Sequence, residues 1–120
     1  MAGLNKLLLI GHLGNDPDMR FTPEGKAVTN FSLAVTDGKS GTVWFRVTSW
    51  ESLAEKVNEY LTKGREVTVV GTLSGDKVEG KSGTIIVPRV YQANDGAYKA
   101  QFEVTARTVH FHGGRAARGL

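Results

Sequence analysis

The chain has 120 residues, no cysteine and a formal net charge of +3, with a pI near 9.3. That length suits one domain with a core large enough to fold without a metal or cross-link, and the missing cysteines exclude disulfides and thiolate zinc sites. The mild basic bias is compatible with a polyanionic partner but does not require one.

The opening "MAGLNKLLLIGHLG" holds one short apolar run interrupted by Lys6. It is too short for a membrane span and lacks the layout of a signal peptide, so a cytoplasmic location is expected. The run reads as a first strand at about 5–13. "GNDPDMRFTPEGK" is dense in Gly, Pro, Asp and Asn and reads as a turn or irregular connection. In "AVTNFSLAV" Thr29, Phe31, Leu33 and Val35 alternate with Asn30, Ser32 and Ala34, the period of a second strand. A short polar loop, 36–41, follows.

"TVWFRVTSW", residues 42–50, is β-branched and aromatic with no Gly or Pro, and predicts a third strand. Alternation puts Val43, Phe45, Val47 and Ser49 on one face and Trp44, Arg46, Thr48 and Trp50 on the other. The first face reads as core. The second joins the largest apolar side chains to a permanent cation. Six residues of strand separate the tryptophans by about 20 Å, which suits two stations rather than one aromatic pair. From the residues alone, a packed core and a ligand platform both remain open.

A single helix is predicted over 52–63. Ser52 and Glu55 match a capping box, Leu53, Val57 and Leu61 recur along one face with Ala54 and Tyr60 beside them, Glu59 and Lys63 stand four apart, and Gly64 occupies the place of a C′ glycine. "EVTVVGTL" is a fourth strand. "SGDKVEGKSG" is polar and glycine-rich. "TIIVPRVY" is strand-like, with Pro88 confining it to an edge or a bulge. We expect "TIIV" to pair back towards "LSGDKV" in a protruding hairpin. Lys77, Lys81 and Arg89 would give that hairpin a positive side, which either extends a nucleic-acid track or braces a neighbouring subunit. "ANDG" carries an Asp-Gly hairpin signal, and "KAQFEVTARTVHF" is a long last strand. "GGRAARGL" reads as a frayed basic tail. The expected organisation is a domain over 1–112 and a short tail over 113–120. Three strands, one helix and further strands predict an all-β chain with one helix: a five-stranded Greek-key OB barrel with an extended hairpin between strands four and five.

These residues resemble the bacterial single-stranded DNA-binding proteins over about 4–115. The motifs are "NKLLLIGHLGNDPDMRFTPEGKAVTNFSLAV", "WFRVTSWESLAEKVNEYLTKG", "FEVTA" and the following Gly-Gly-Arg. The resemblance implies an OB fold, usually a homotetramer with a dimer as the alternative, that binds single-stranded DNA without strong sequence preference in replication, recombination and repair. It implies a cytoplasmic, nucleoid-associated protein. It places stacking aromatics at Trp44, Trp50 and Tyr91, where Tyr91 replaces a usual Trp. It places basic residues at Lys6, Arg20, Arg46, Lys63 and Arg89; Lys99, on the last strand, joins them as a candidate phosphate contact.

Relatives in this family carry a long tail with an acidic tip that recruits replication and repair enzymes. This sequence stops at Leu120 and ends basic, so either it is a truncated core or the protein lacks that recruitment function, and a tail-less OB accessory protein of replication restart is the alternative reading. An OB-fold RNA binder is a further one. No cofactor or metal is expected. His110 and His112 point to one side of a strand end without a carboxylate or thiolate placed beside them. No Ser-His-Asp set, paired-carboxylate site or Walker loop occurs, so no enzyme is expected.

Overall fold

The computed structural model describes residues 3–39 and 41–112; the basic tail read over 113–120 lies outside them. Its strands are β1 (Leu7–Leu13), β2 (Asp18–Phe21), β3 (Ala27–Thr36), β4 (Thr42–Trp50), β5 (Glu66–Ser74), β6 (Asp76–Gly80), β7 (Gly83–Val87), β8 (Arg89–Gln92) and β9 (Tyr98–Phe111). One helix, α1 (Glu51–Tyr60), joins β4 to β5.

Five strands, β1, β3, β4, β5 and β9, close a barrel. They run in the order β1-β5-β9-β4-β3, and a short β1–β3 pairing at His12↔Ala34 and Leu13↔Leu33 shuts the ring. The β4–β9 pairing is parallel and the others are antiparallel. This is the OB barrel expected. Closure requires close backbone approach at Gly11, where a Cβ would collide with the carbonyl of Ala34. The β5–β9 ladder changes register between Val70 and Gly71, a bulge that bends the wall.

The core follows the strand alternation. Phe31, Leu33, Val47, Val67, Val69 and Val104 are fully buried and pack with Leu13, Val57, Leu61 and Ala106. Helix α1 plugs one end of the barrel with Ala54 and Val57. The buried hydroxyl of Thr29 donates to the Ala54 carbonyl at 2.8 Å, so the polar group that enters the core is satisfied. At the other end Phe45 and Phe102 meet with ring centroids 5.8 Å apart.

Several local expectations change. The connection after β1 is not irregular throughout: Asp18–Phe21 form β2, paired with β3 from Asp18↔Asn30 to Phe21↔Ala27. The capping box does not form. The helix begins at Glu51, and its N-cap is Trp50, in extended geometry and with no side-chain cap bond. Glu51 has φ of 58°, so the chain turns from strand to helix within one residue and Ser52 falls inside the first turn. The helix ends at Tyr60 rather than 63. Lys63 is therefore beyond it and makes no helical pair with Glu59. Gly64, with φ of 89°, belongs instead to a turn in which Arg65 N–H donates to the Thr62 carbonyl at 3.1 Å.

The expected hairpin forms as β6 and β7, from Asp76↔Val87 to Gly80↔Gly83, in a two-stranded sheet of its own. All its residues are exposed except the half-buried Val87. Its charge is mixed: Lys77 and Glu79 share one side of the ribbon, and Glu79 accepts a hydrogen bond from the Thr84 hydroxyl at 2.8 Å. β8 pairs with the start of β9. The turn between them sits at Asp95-Gly96, as its sequence signals, with Ala93 N–H donating to the Ala97 carbonyl.

Candidate nucleic-acid interface

The outer face of β4 carries Trp44, Arg46, Thr48 and Trp50, while Val47 and Ser49 are buried beneath it. Trp44 is 51% exposed and Trp50 is 42% exposed. Large apolar rings left this open on one strand are not core.

Pairing register extends the face on both sides, because residues opposite each other in a ladder share a side of the sheet. Towards β3, Trp44, Arg46, Thr48 and Trp50 lie against Ala34, Ser32, Asn30 and Val28. Arg20 of β2 lies against Val28, and so belongs to the row of Trp50. Towards β9, Arg46 lies beside Glu103 and Thr48 beside Thr105. Alternation along β9 keeps Gln101 and Lys99 on this side. Arg89 then pairs with Gln101, and Tyr91 with Lys99. Seven of the nine residues singled out in the sequence, Arg20, Trp44, Arg46, Trp50, Arg89, Tyr91 and Lys99, thus share one continuous face, although they come from four strands.

The other two are peripheral. Lys6 precedes β1 and sits beside Thr72. Thr72 pairs with Thr105, which in turn neighbours Thr48, so Lys6 marks the far end of a row. The Lys63 backbone N–H is held by Asp16 Oδ1 at 2.8 Å, which ties that turn to the β1–β2 loop and not to β4.

The face is not uniformly basic. Arg89 lies 3.8 Å from Glu103, whose side chain is only 16% exposed. Arg20 donates from Nε to Asp18 at 3.1 Å. Asn15, Asn30, Ser32 and Gln101 fill the ground between the cations and line a cavity together with Asp18 and Arg46. The sequence reading passed over these polar residues as candidates. The signal was present for Asn30 and Ser32, which occupy the non-core phase of the second strand, but not for Asn15 or Gln101.

A separate polar cluster stands at the other side of the barrel. His112 Nδ1 lies 3.0 Å from Glu66, its Nε2 lies 2.7 Å from the Thr68 hydroxyl, and His12 Nε2 lies 3.7 Å from the same carboxylate. Glu66 is the carboxylate that the sequence had not placed near the histidines. The His112 hydrogen bond holds the Glu66 carboxyl below its ordinary pKa; desolvation opposes this, and the charges of His112 and His12 add to the lowering. Among the described residues no group of three or more His, Asp or Glu is arranged to hold a metal ion.

An OB barrel with an aromatic and basic outer face defines a class of proteins that hold extended ligands across the barrel wall. The chain belongs to the single-strand binding protein family, whose model matches residues 4–112. Similar proteins include single-stranded DNA-binding protein 1 of Chlorobaculum tepidum, 48% identical over 59% of this chain and 49% of that protein. The single-stranded DNA-binding proteins of Xanthomonas campestris pv. campestris and Xanthomonas axonopodis pv. citri are 36% and 38% identical over 94% of this chain, covering 63% and 60% of their own lengths. The chain thus spans about half to three fifths of these relatives.

Proposed function

We propose that this chain binds single-stranded DNA with little sequence preference and protects it during replication, recombination and repair. The observation that carries the reading is the shared face: Trp44, Trp50 and Tyr91 stand on it with Arg20, Arg46, Arg89 and Lys99 between and around them. Every base has a π-face, so exposed aromatic rings grip a strand whatever its sequence, at about 1–3 kcal/mol per base. Guanidinium and ammonium groups around the rings, those of Arg20, Arg89 and Lys99 foremost, contact phosphates, and Lys6 and Lys63 are candidate contacts for a strand leaving the face.

Self-association into a homotetramer belongs to the same reading. β1 exposes Leu8 and Ile10, at 68% and 54%, and apolar residues on a strand whose edge is only partly paired are a liability unless covered. A cytoplasmic, nucleoid-associated location follows from the proposed role.

The test is titration of the protein with oligo-dT, read by tryptophan fluorescence. Quenching is expected, and Trp44→Ala and Trp50→Ala are each expected to weaken binding by about 1–3 kcal/mol. A folded double variant that binds like the parent would reject the stacking platform.

A further inference from the structure

Between Trp44 and Trp50 the outer face is indented by a cavity of about 220 Å³, lined by Asn15, Asp18, Asn30, Ser32, Arg46 and Gln101. Its chemistry differs from the rest of the face. Asn15 Oδ1 is taken by the Ser32 backbone N–H at 2.9 Å, and Asn30 Oδ1 by the Thr48 hydroxyl at 2.7 Å. Each amide oxygen is engaged by one of these bonds, and each amide keeps its NH2 as a donor. The Arg46 guanidinium has no hydrogen-bond or ion-pair partner among the described residues, although it stands next to Glu103 in register. Asp18 gives one carboxylate oxygen to Arg20 and keeps the other. The cavity therefore offers several N–H donors around one carboxylate, with the Ser32 hydroxyl and the Gln101 amide able to donate or accept.

A donor-rich cavity invites a phosphate, but Asp18 argues against one. A phosphodiester is anionic and has no N–H to give to a carboxylate. A nucleobase edge has both kinds of group and no charge. Thymine offers two carbonyl oxygens and one ring N–H, which matches several N–H donors beside one carboxylate. Adenine has no carbonyl oxygen at all. The cavity also lies in the row between the two rings, since Arg46 stands between Trp44 and Trp50 on β4 and faces Ser32 across the ladder.

We infer that this cavity hydrogen-bonds the edge of a carbonyl-bearing nucleobase, thymine foremost, with Arg46 and the Asn15 and Asn30 amides donating to the carbonyls and Asp18 accepting the ring N–H. The inference rests on the proposed function. It adds base-edge recognition to a face otherwise read as stacking and charge, and it predicts a preference that stacking strength does not explain.

The experiment compares an oligo-dT with the same strand carrying 2,4-difluorotoluene in place of every thymine. The isostere keeps the shape of thymine but replaces its carbonyls by C–F and its N–H by C–H; the phosphates are unchanged. The parent protein is expected to bind oligo-dT about tenfold more tightly, the scale of one paired base-edge contact. In an Asn15→Ala, Asp18→Ala double variant that ratio is expected to fall towards one. Equal binding of both strands by the parent overturns the inference and leaves a stacking and phosphate surface. A ratio that survives in the double variant overturns the assignment to this cavity. Failure to bind either strand overturns the proposed function, and this inference with it.

Discussion

The indole of Trp44 lies against Gly14. A Cβ built on Gly14 would stand 2.5 Å from Cζ3 and 2.9 Å from Cη2 of the ring, while the next nearest atom, Ser32 Cβ, would be at 3.7 Å. The residue that follows β1 is thus a floor for an aromatic side chain on β4, and only glycine leaves room for the ring where it now sits.

Gly14→Ala is expected to displace the Trp44 ring without unfolding the barrel, because Gly14 does not need a positive φ. Tryptophan emission of the free protein should change, and single-strand affinity should fall by up to the value of one stacked base, about 1–3 kcal/mol. Fluorescence titration beside a thermal melt checks both. Unchanged affinity with an altered emission spectrum would show that ring placement does not matter to binding.

Affinity should fall steeply as salt rises. For single strands the logarithmic slope is about −0.7 for each phosphate neutralised, so Arg46→Ala should leave the slope unchanged if Arg46 serves the base edge, whereas Lys99→Ala should reduce it by about 0.7. Titrations at four or five salt concentrations read the slopes. A flat response for the parent would remove the phosphate track.

Glu51 takes the chain from β4 into α1 with φ of 58°. A residue with a Cβ is held there at a cost of about 1–2 kcal/mol. Glu51→Gly should leave stability unchanged or raise it, and Glu51→Val should lower it by about 1–2 kcal/mol, because branching at Cβ is poorly tolerated in this region. Urea unfolding measures both. A valine variant as stable as the parent would mean that the turn relaxes at no cost.

Glu66, hydrogen-bonded to His112, has its folded-state pKa depressed. Its contribution to stability is therefore complete above the unfolded carboxylate value, about 4.3, and is lost as pH falls through the lower folded value. The stability difference between the parent and Glu66→Gln should be present at about pH 5 and shrink on acidification below it. Melts across that range decide it; a difference that grows towards low pH would have the wrong sign.

Much of this molecule was legible from local pattern. Period-two alternation is set by backbone pleating, so it separated Val47 and Ser49 from Trp44, Arg46 and Trp50 before any partner strand was known. The hairpin at Asp95-Gly96 and the β6–β7 ribbon were legible for a similar reason, since turn chemistry and strand character act over a few residues. Helix α1 was legible through Val57 and Leu61, which stay in phase with the core.

Its start was not. The Ser52 capping box is a local preference, worth about as much as one hydrogen bond. It lost to the demand that β4 run straight into the helix, with Glu51 in a strained conformation and Trp50 left on the outer face. β2 was missed because four residues with little alternation become a strand only when β3 offers them a ladder. The same holds for the site. The sequence by itself determined which side chains face away from the core, because that depends on each strand alone. Only the tertiary structure decided that Tyr91 and Lys99 pair on the face that holds Trp44, that Glu103 lies between Arg46 and Arg89, and that Asn15 and Gln101 meet Asp18 in one cavity. Those relationships depend on register between strands far apart in the chain, and register is set by the packing of the whole barrel.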